Sequence, residues 1–126
     1  MSTAFDYDQA FSRNIGWVTR EEQQTLHRKT VAIAGMGGVG GSHLLTLTRL
    51  GIGRFHIADL DTFELANFNR QAGAMLSTSG QPKVEVLAKR ARDINPELDL
   101  KLFPEGVTQE NLRAFLSEVD VYVDGL

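Results

Sequence analysis

The chain of 126 residues has no cysteine. That absence excludes a disulfide, a thiolate metal site and a cysteine nucleophile within it. It also lacks any apolar run long enough to span a bilayer. Met1 to Phe11 is polar and acidic, without the basic-then-apolar order of a secretory leader. A strong excess of one charge is missing too. The formal net charge of −3 predicts no bulk attraction to nucleic acid or to a membrane surface. Neither is expected as a partner, and a cytoplasmic location is the default reading. There is no internal repeat and no low-complexity tract. His27, His43 and His56 have no metal-ligand spacing and read as structural or surface residues. With 42% hydrophobic and 23% charged residues, the composition is that of one globular domain with one core.

Glycine, by contrast, is concentrated where it carries meaning. The run Val31-Ala-Ile-Ala-Gly35-Met-Gly37-Gly38-Val-Gly40 takes a buried-strand pattern straight into a glycine loop and an apolar helix. Gly35, Gly37 and Gly40 fit the G-x-G-x-x-G spacing. The first permits a tight turn, the second a close backbone approach to a phosphate, and the third close packing of helix on strand. The amides of the first helical turn and the helix dipole then favour an anion.

The rest of the pattern alternates. Residues 1–29 read as an N-terminal helical arm, with a helix over 19–28 started by the capping-box pair Thr19 and Glu22. Trp17 is expected to pack as an anchor there. Residues 30–126 read as a Rossmann-like nucleotide-binding half-domain. Strands are expected at Thr30–Ala34, Arg54–Ala58, Leu98–Phe103 and Val119–Val123. Helices are expected at Gly38–Leu50, from Gly80-Gln81-Pro82 to Ile94, and at Thr108–Glu118. Between them lies a long polar connection over residues 60–79, a length that loops usually reach for function or through disorder. This α/β order predicts a parallel sheet with helices on both faces and strand order 3-2-1-4. The chain reads as the first half of a larger domain, its last strand running out at Asp124-Gly125-Leu126.

A glycine loop followed by Asp59 at the end of the second strand serves a dinucleotide dehydrogenase as well as any other nucleotide enzyme. What discriminates is Asp59-Leu-Asp61, then Asn67-Phe-Asn69-Arg70-Gln71, then Gly80-Gln-Pro-Lys83. Hydride transfer has no use for an arginine and a lysine gathered beside a phosphate loop. A triphosphate losing pyrophosphate does. Lys83 at the first turn of a helix is disfavoured by the dipole, and a bound anion relieves that cost. Lys89, Arg90 and Arg92 read as the solvated face of the same helix, not as a nucleic-acid patch.

These motifs, in this order, resemble the ThiF/MoeB and ubiquitin-activating adenylyltransferase family over residues 11–126. Phe11-Ser-Arg13-Asn-Ile resembles that family's N-terminal arginine motif, and Gly41, placed between the loop and Ser42, is a small departure. The resemblance implies ATP and Mg²⁺ as ligands. It implies activation of the C-terminal carboxylate of a ubiquitin-like or sulfur-carrier protein as an acyl adenylate. Gly35, Gly37, Gly38 and Gly40 would cradle the nucleotide, with Asp61 and Gln71 shaping its site. Asp59 would hold the ribose, and Asn67, Arg70 and Lys83 the phosphates. Arg13 would reach the site of a second subunit, which implies a homodimer. Asp124 matches the first aspartate of the family's D-x-x-D metal motif. The second would fall one residue past Leu126, so the chain by itself is expected to be inactive or nearly so.

Two other readings stay open. An NAD-dependent oxidoreductase shares the loop and Asp59 but leaves Asn67, Arg70 and Lys83 without a role. A non-catalytic partner module of an activating enzyme has no need of an intact set of phosphate-gripping residues.

Overall fold

The computed structural model describes residues 4–126. Its centre is β1 (Thr30–Ala34), buried at every position. The β-branched and small residues Thr-Val-Ala-Ile-Ala suit a strand covered on both faces. It pairs in parallel with β2 (Arg54–Ala58) on one side and β4 (Val121–Asp124) on the other, and β3 (Asp99–Phe103) adds beyond β2. The order is therefore 3-2-1-4, as the alternation predicts. Glycine sets the bounds of α3 (Gly38–Leu50), which starts after Gly37 and stops at left-handed Gly51.

Strand alternation divides the core. Val31, Ile33, Phe55 and Ile57 point to one face, where Leu44 of α3 and Val84, Leu87 and Ala91 of α4 (Lys83–Ile94) cover them. Ala32, Ala34 and Ala58 point to the other, against Phe115 of the short α5 (Leu112–Leu116). Fully burying such side chains contributes about 1.5–3 kcal/mol each. On α3 Leu50 is exposed, whereas Thr48 is enclosed, its hydroxyl donating to the Leu44 carbonyl.

The N-terminal residues pack on the far end of α3. A short helix α1 (Tyr7–Ala10) presents Tyr7, whose hydroxyl donates to the Gly51 carbonyl at 2.7 Å and whose ring stacks on that of His27. Helix α2 (Arg20–His27) begins with the expected reciprocal Thr19–Glu22 capping box. Trp17 is not an anchor. The tight turn between Ile15 and Val18, with Gly16 at φ 115°, leaves it 92% exposed.

Three elements differ from the sequence reading by more than one residue. Helix α4 starts at Lys83, because Gly80 and Gln81 are held by Phe63 and the Lys83 amide by Asp61 in a small antiparallel contact. Helix α5 is half the expected length. The Asn111 side chain accepts from the Thr108 amide and donates to the Gly106 carbonyl, competing with helical hydrogen bonds. Left-handed Glu118 follows its end. Strand β4 runs over Val121–Asp124 and not Val119–Val123, and it is the exposed edge beside β1.

Candidate functional site

Parallel α/β sheets bind ligands beyond the carboxyl ends of their strands, where the order reverses. Here that point lies between β1 and β4, and the glycine loop occupies it. Gly35 has φ 94°, and a Cβ on it would strike the Gly125 carbonyl. A Cβ on Gly40 would strike the Gly35 carbonyl, so helix and loop touch backbone to backbone. Gly37 caps α3 without any side-chain hydrogen bond. The first-turn amides of α3 therefore lack a side-chain acceptor.

They open on a cleft of about 440 Å³ whose walls include Gly37, Gly38, Asp59, Asp61, Gln71 and Lys83, a size usual for small-molecule sites. A second hollow of about 330 Å³ shares Asp61 and Lys83 with it and adds Asn67. Gly35, Gly37, Gly38, Asp59, Asp61, Gln71 and Lys83 thus converge on one cleft, although Asp59 and Lys83 are 24 positions apart in the chain.

Asp59 does structural work as well. One carboxylate oxygen accepts from the Met36 amide at 2.7 Å and the other from the Asp61 amide at 2.8 Å. It ties the end of β2 to the glycine loop and still has lone pairs free for a ligand hydroxyl. Asn67 spends its carbonyl oxygen on the Glu64 amide at 2.8 Å, which leaves its NH₂ end. Gln71 is 8% exposed and lies over Gly37, where a Cβ would come 3.1 Å from its amide nitrogen. Its Oε1 is buried without a partner. Such an atom costs about 1–3 kcal/mol unless something donates to it.

Lys83 is 7% exposed, its ammonium 5.6 Å from the centroid of the Phe63 ring. Among the described residues the ion pairs are Lys29–Asp120 and Arg54–Asp99, so this cation has no carboxylate partner. It sits at the start of α4, whose N-cap Pro82 supplies no side-chain acceptor. The site therefore joins two helix N-termini without side-chain caps and a buried cation without a carboxylate partner among the described residues. Each element disfavours an empty site and favours an anion.

Other candidates stand apart. Arg70 lies beside Gly38, but its guanidinium donates to the Ala66 carbonyl and to the Asn69 side chain, both at 3.1 Å, so it must turn to reach the cleft. Arg13 is exposed in a 3-10 turn whose Asn14 bonds the carbonyls of Arg49 and Leu50. That is the opposite end of α3 from the loop, roughly 20 Å away at 1.5 Å per residue. Asp124 accepts from the Leu126 amide and raises the Tyr122 hydroxyl pKa alongside the larger effect of burial. It is not in the cleft wall, and no three His, Asp or Glu cluster at metal distance among the described residues. The sequence reading missed Gly106 and Gly125, which also line the cleft. Both follow the carboxyl ends of strands, the signal that could have found them.

This arrangement has close parallels. Residues 11–126 match the ThiF family. The chain belongs to the ThiF family. It is 42% identical over 105 residues to the tRNA threonylcarbamoyladenosine dehydratase of Bacillus subtilis, covering 83% of this chain and 41% of that protein. It is 34% identical over 104 residues to the sulfur carrier protein adenylyltransferase of Thermus thermophilus, covering 82% and 38%. The crystal structure of the Escherichia coli tRNA N6-threonylcarbamoyladenosine dehydratase in complex with ATP superposes with a TM-score of 0.91 at 28% identity, covering 100% of this chain and 52% of that one. The chain spans about half the length of these relatives.

Proposed function

We propose that this ThiF-family chain forms the nucleotide-binding half of an ATP-dependent adenylyltransferase. A carboxylate oxygen of the acceptor attacks the α-phosphorus of ATP and pyrophosphate leaves, giving an acyl adenylate. The observation that carries this reading is Lys83, a buried cation without a counter-charge, beside the uncapped first turn of α3. The loop glycines Gly35, Gly37, Gly38 and Gly40 leave room for the phosphates, with Lys83, Asn67 and a reoriented Arg70 as their ligands. Asp59 takes the ribose and Gln71 accepts a donor through Oε1. Catalysis by such a site is positioning and charge stabilisation. Arg13 serves the site of a second copy in a homodimer, because its own lies at the other end of α3. Mg²⁺ would accompany the phosphates, and Asp124 is the residue that matches the D-x-x-D motif, although it lies outside the cleft wall.

The acceptor defines two readings. In the first it is the C-terminal carboxylate of a ubiquitin-like or sulfur-carrier protein, the class named in the Thermus relative. In the second it is the carboxylate of a threonylcarbamoyl group on tRNA, the substrate named in the Bacillus relative, which has the higher identity. Loss of water from that group requires an oxygen made into a leaving group, which adenylation does. Neither acceptor suits an NAD-dependent oxidoreductase, which gives Lys83 no task.

The test is ATP–pyrophosphate exchange with each acceptor supplied in turn. Exchange dependent on one acceptor and lost in Lys83→Met supports the reading. Exchange with neither, together with no Mg-ATP binding, overturns it and leaves the non-catalytic partner module.

A further inference from the structure

A hollow of about 610 Å³, larger than the nucleotide cleft, runs along the flank of α4 against the 3-10 turn Leu76–Thr78. Lys89, Arg90 and Arg92 line it, with Asp93 as the one acid and Ser77 and Gln81 as neutral polar neighbours. None of the three cations joins an ion pair among the described residues. Glu85 and Asp93, each four positions from Lys89, are placed to neutralise it on a helix but form no such pair. Arg90 is half-buried and fixed by a contact of 3.0 Å from Nη2 to the Met75 sulfur, and its Nε is enclosed without an acceptor. Three unpaired cations in one groove are not the expected consequence of composition in a chain of net charge −3.

We propose that this groove binds the phosphate backbone of RNA. The inference rests on the second reading above, in which the activated carboxylate is carried by tRNA. The groove's chemistry favours it on its own terms. Cations mixed with hydroxyl and amide groups are what phosphate and sugar contacts use. Peptide recognition draws on apolar and aromatic anchors, and the groove has no aromatic residue, only Val86. Without a ring to stack on, it positions RNA and does not read bases. Arg92 lies nine residues along α4 from Lys83, roughly 14 Å at 1.5 Å per residue. A few nucleotides cover that distance, so RNA held here can lead into the nucleotide cleft.

The experiment is anisotropy of a fluorescein-labelled RNA stem-loop titrated with the chain at several salt concentrations. Lys89→Glu with Arg92→Glu should weaken binding at least about tenfold near 0.1 M salt and reduce the log–log salt slope by about one to two. Arg49→Glu with Arg113→Glu makes the same charge change on exposed residues outside the groove and should stay within about twofold of wild type. Wild-type affinity in the groove variant, or an equal loss in the control, overturns the proposal. So does polyglutamate displacing the RNA at equal charge concentration, which would mark an acidic polypeptide site. The thermal midpoint with Mg-ATP is measured on the same samples. Weak RNA binding with the ATP shift intact counts against the groove alone. Absence of the shift in wild type with RNA binding intact counts against the nucleotide reading alone.

Discussion

The Lys83 ammonium stands over the Phe63 ring, 5.6 Å from its centroid, and this contact is what the chain itself offers a buried charge. A cation–π contact is worth about 0.5–2 kcal/mol, less than the cost of burying an ammonium without a counter-ion. Lys83→Met keeps the length and apolar stem of the side chain and removes the charge. It should leave the ligand-free unfolding free energy within about 1 kcal/mol of wild type, or raise it, while abolishing stabilisation by Mg-ATP. Urea unfolding with and without Mg-ATP checks both. A loss of several kcal/mol without ligand would make Lys83 a structural residue.

Asp59 joins two backbone amides through one carboxylate, and Met36, one of the donors, is fully buried. Asp59→Ala orphans the Met36 amide and should cost about 2 kcal/mol in addition to any loss of nucleotide binding. Asp59→Asn retains an acceptor and should cost less. Equal stability of all three proteins in urea would show that the carboxylate serves only the ligand.

Gly40 and Gly41 are neighbours with different surroundings. A Cβ on Gly40 meets the Gly35 carbonyl, whereas one on Gly41 meets the Met36 carbonyl at 3.2 Å and Leu87 at 3.4 Å. Gly40→Ala should destabilise by at least about 3 kcal/mol or prevent folding, since backbone cannot yield as a side chain does. Gly41→Ala should cost no more than about 1 kcal/mol, because the helix interior gains from alanine what the contact loses. Comparable midpoints for the two variants would contradict the packing described for the loop.

The Tyr7 hydroxyl has its pKa raised above its ordinary 10.0, first by burial and further by Asp8, with the Gln23 hydrogen bond acting the other way. The folded state thus holds the neutral phenol more tightly than the unfolded chain does. The corresponding stability is fully present below pH 10.0 and is lost as pH rises through the folded-state value. Thermal midpoints of wild type should fall more steeply above pH 10.0 than those of Tyr7→Phe. Parallel curves would show that Tyr7 does not couple the N-terminal residues to α3.

Much of this was legible in the sequence, and the reasons differ by element. Thr30–Ala34, Gly38–Leu50 and Arg54–Ala58 occur as expected because glycines punctuate them and the strands carry small or β-branched residues. The convergence of Asp59, Asn67, Gln71 and Lys83 followed from motif order, since β1, β2 and α4 all end or begin at the same edge of the sheet. What failed depended on single side chains. Asn111 shortened α5 through hydrogen bonds that no periodicity registers, and the turn at Gly16 turned Trp17 outward. The connection over residues 60–79 is largely irregular but anchored. Two 3-10 turns, Leu65–Asn67 and Leu76–Thr78, and the buried ring of Phe63 fix it. A polar composition conceals one apolar anchor of that kind. Lys89 and Arg92 are exposed, as a solvated helix face should be, and what the sequence did not show is the 3-10 turn Leu76–Thr78 that stands across from them and half-buries Arg90.

The central claim is that the cleft between the glycine loop and Lys83 binds a nucleoside triphosphate. The most direct test is the thermal midpoint of the chain with Mg-ATP, with NAD and without ligand, beside the Arg70→Ala variant. A ligand that binds only the folded state raises the midpoint. The account predicts a rise with Mg-ATP that Arg70→Ala abolishes and no comparable rise with NAD. A rise with NAD alone, or none with Mg-ATP, would contradict it.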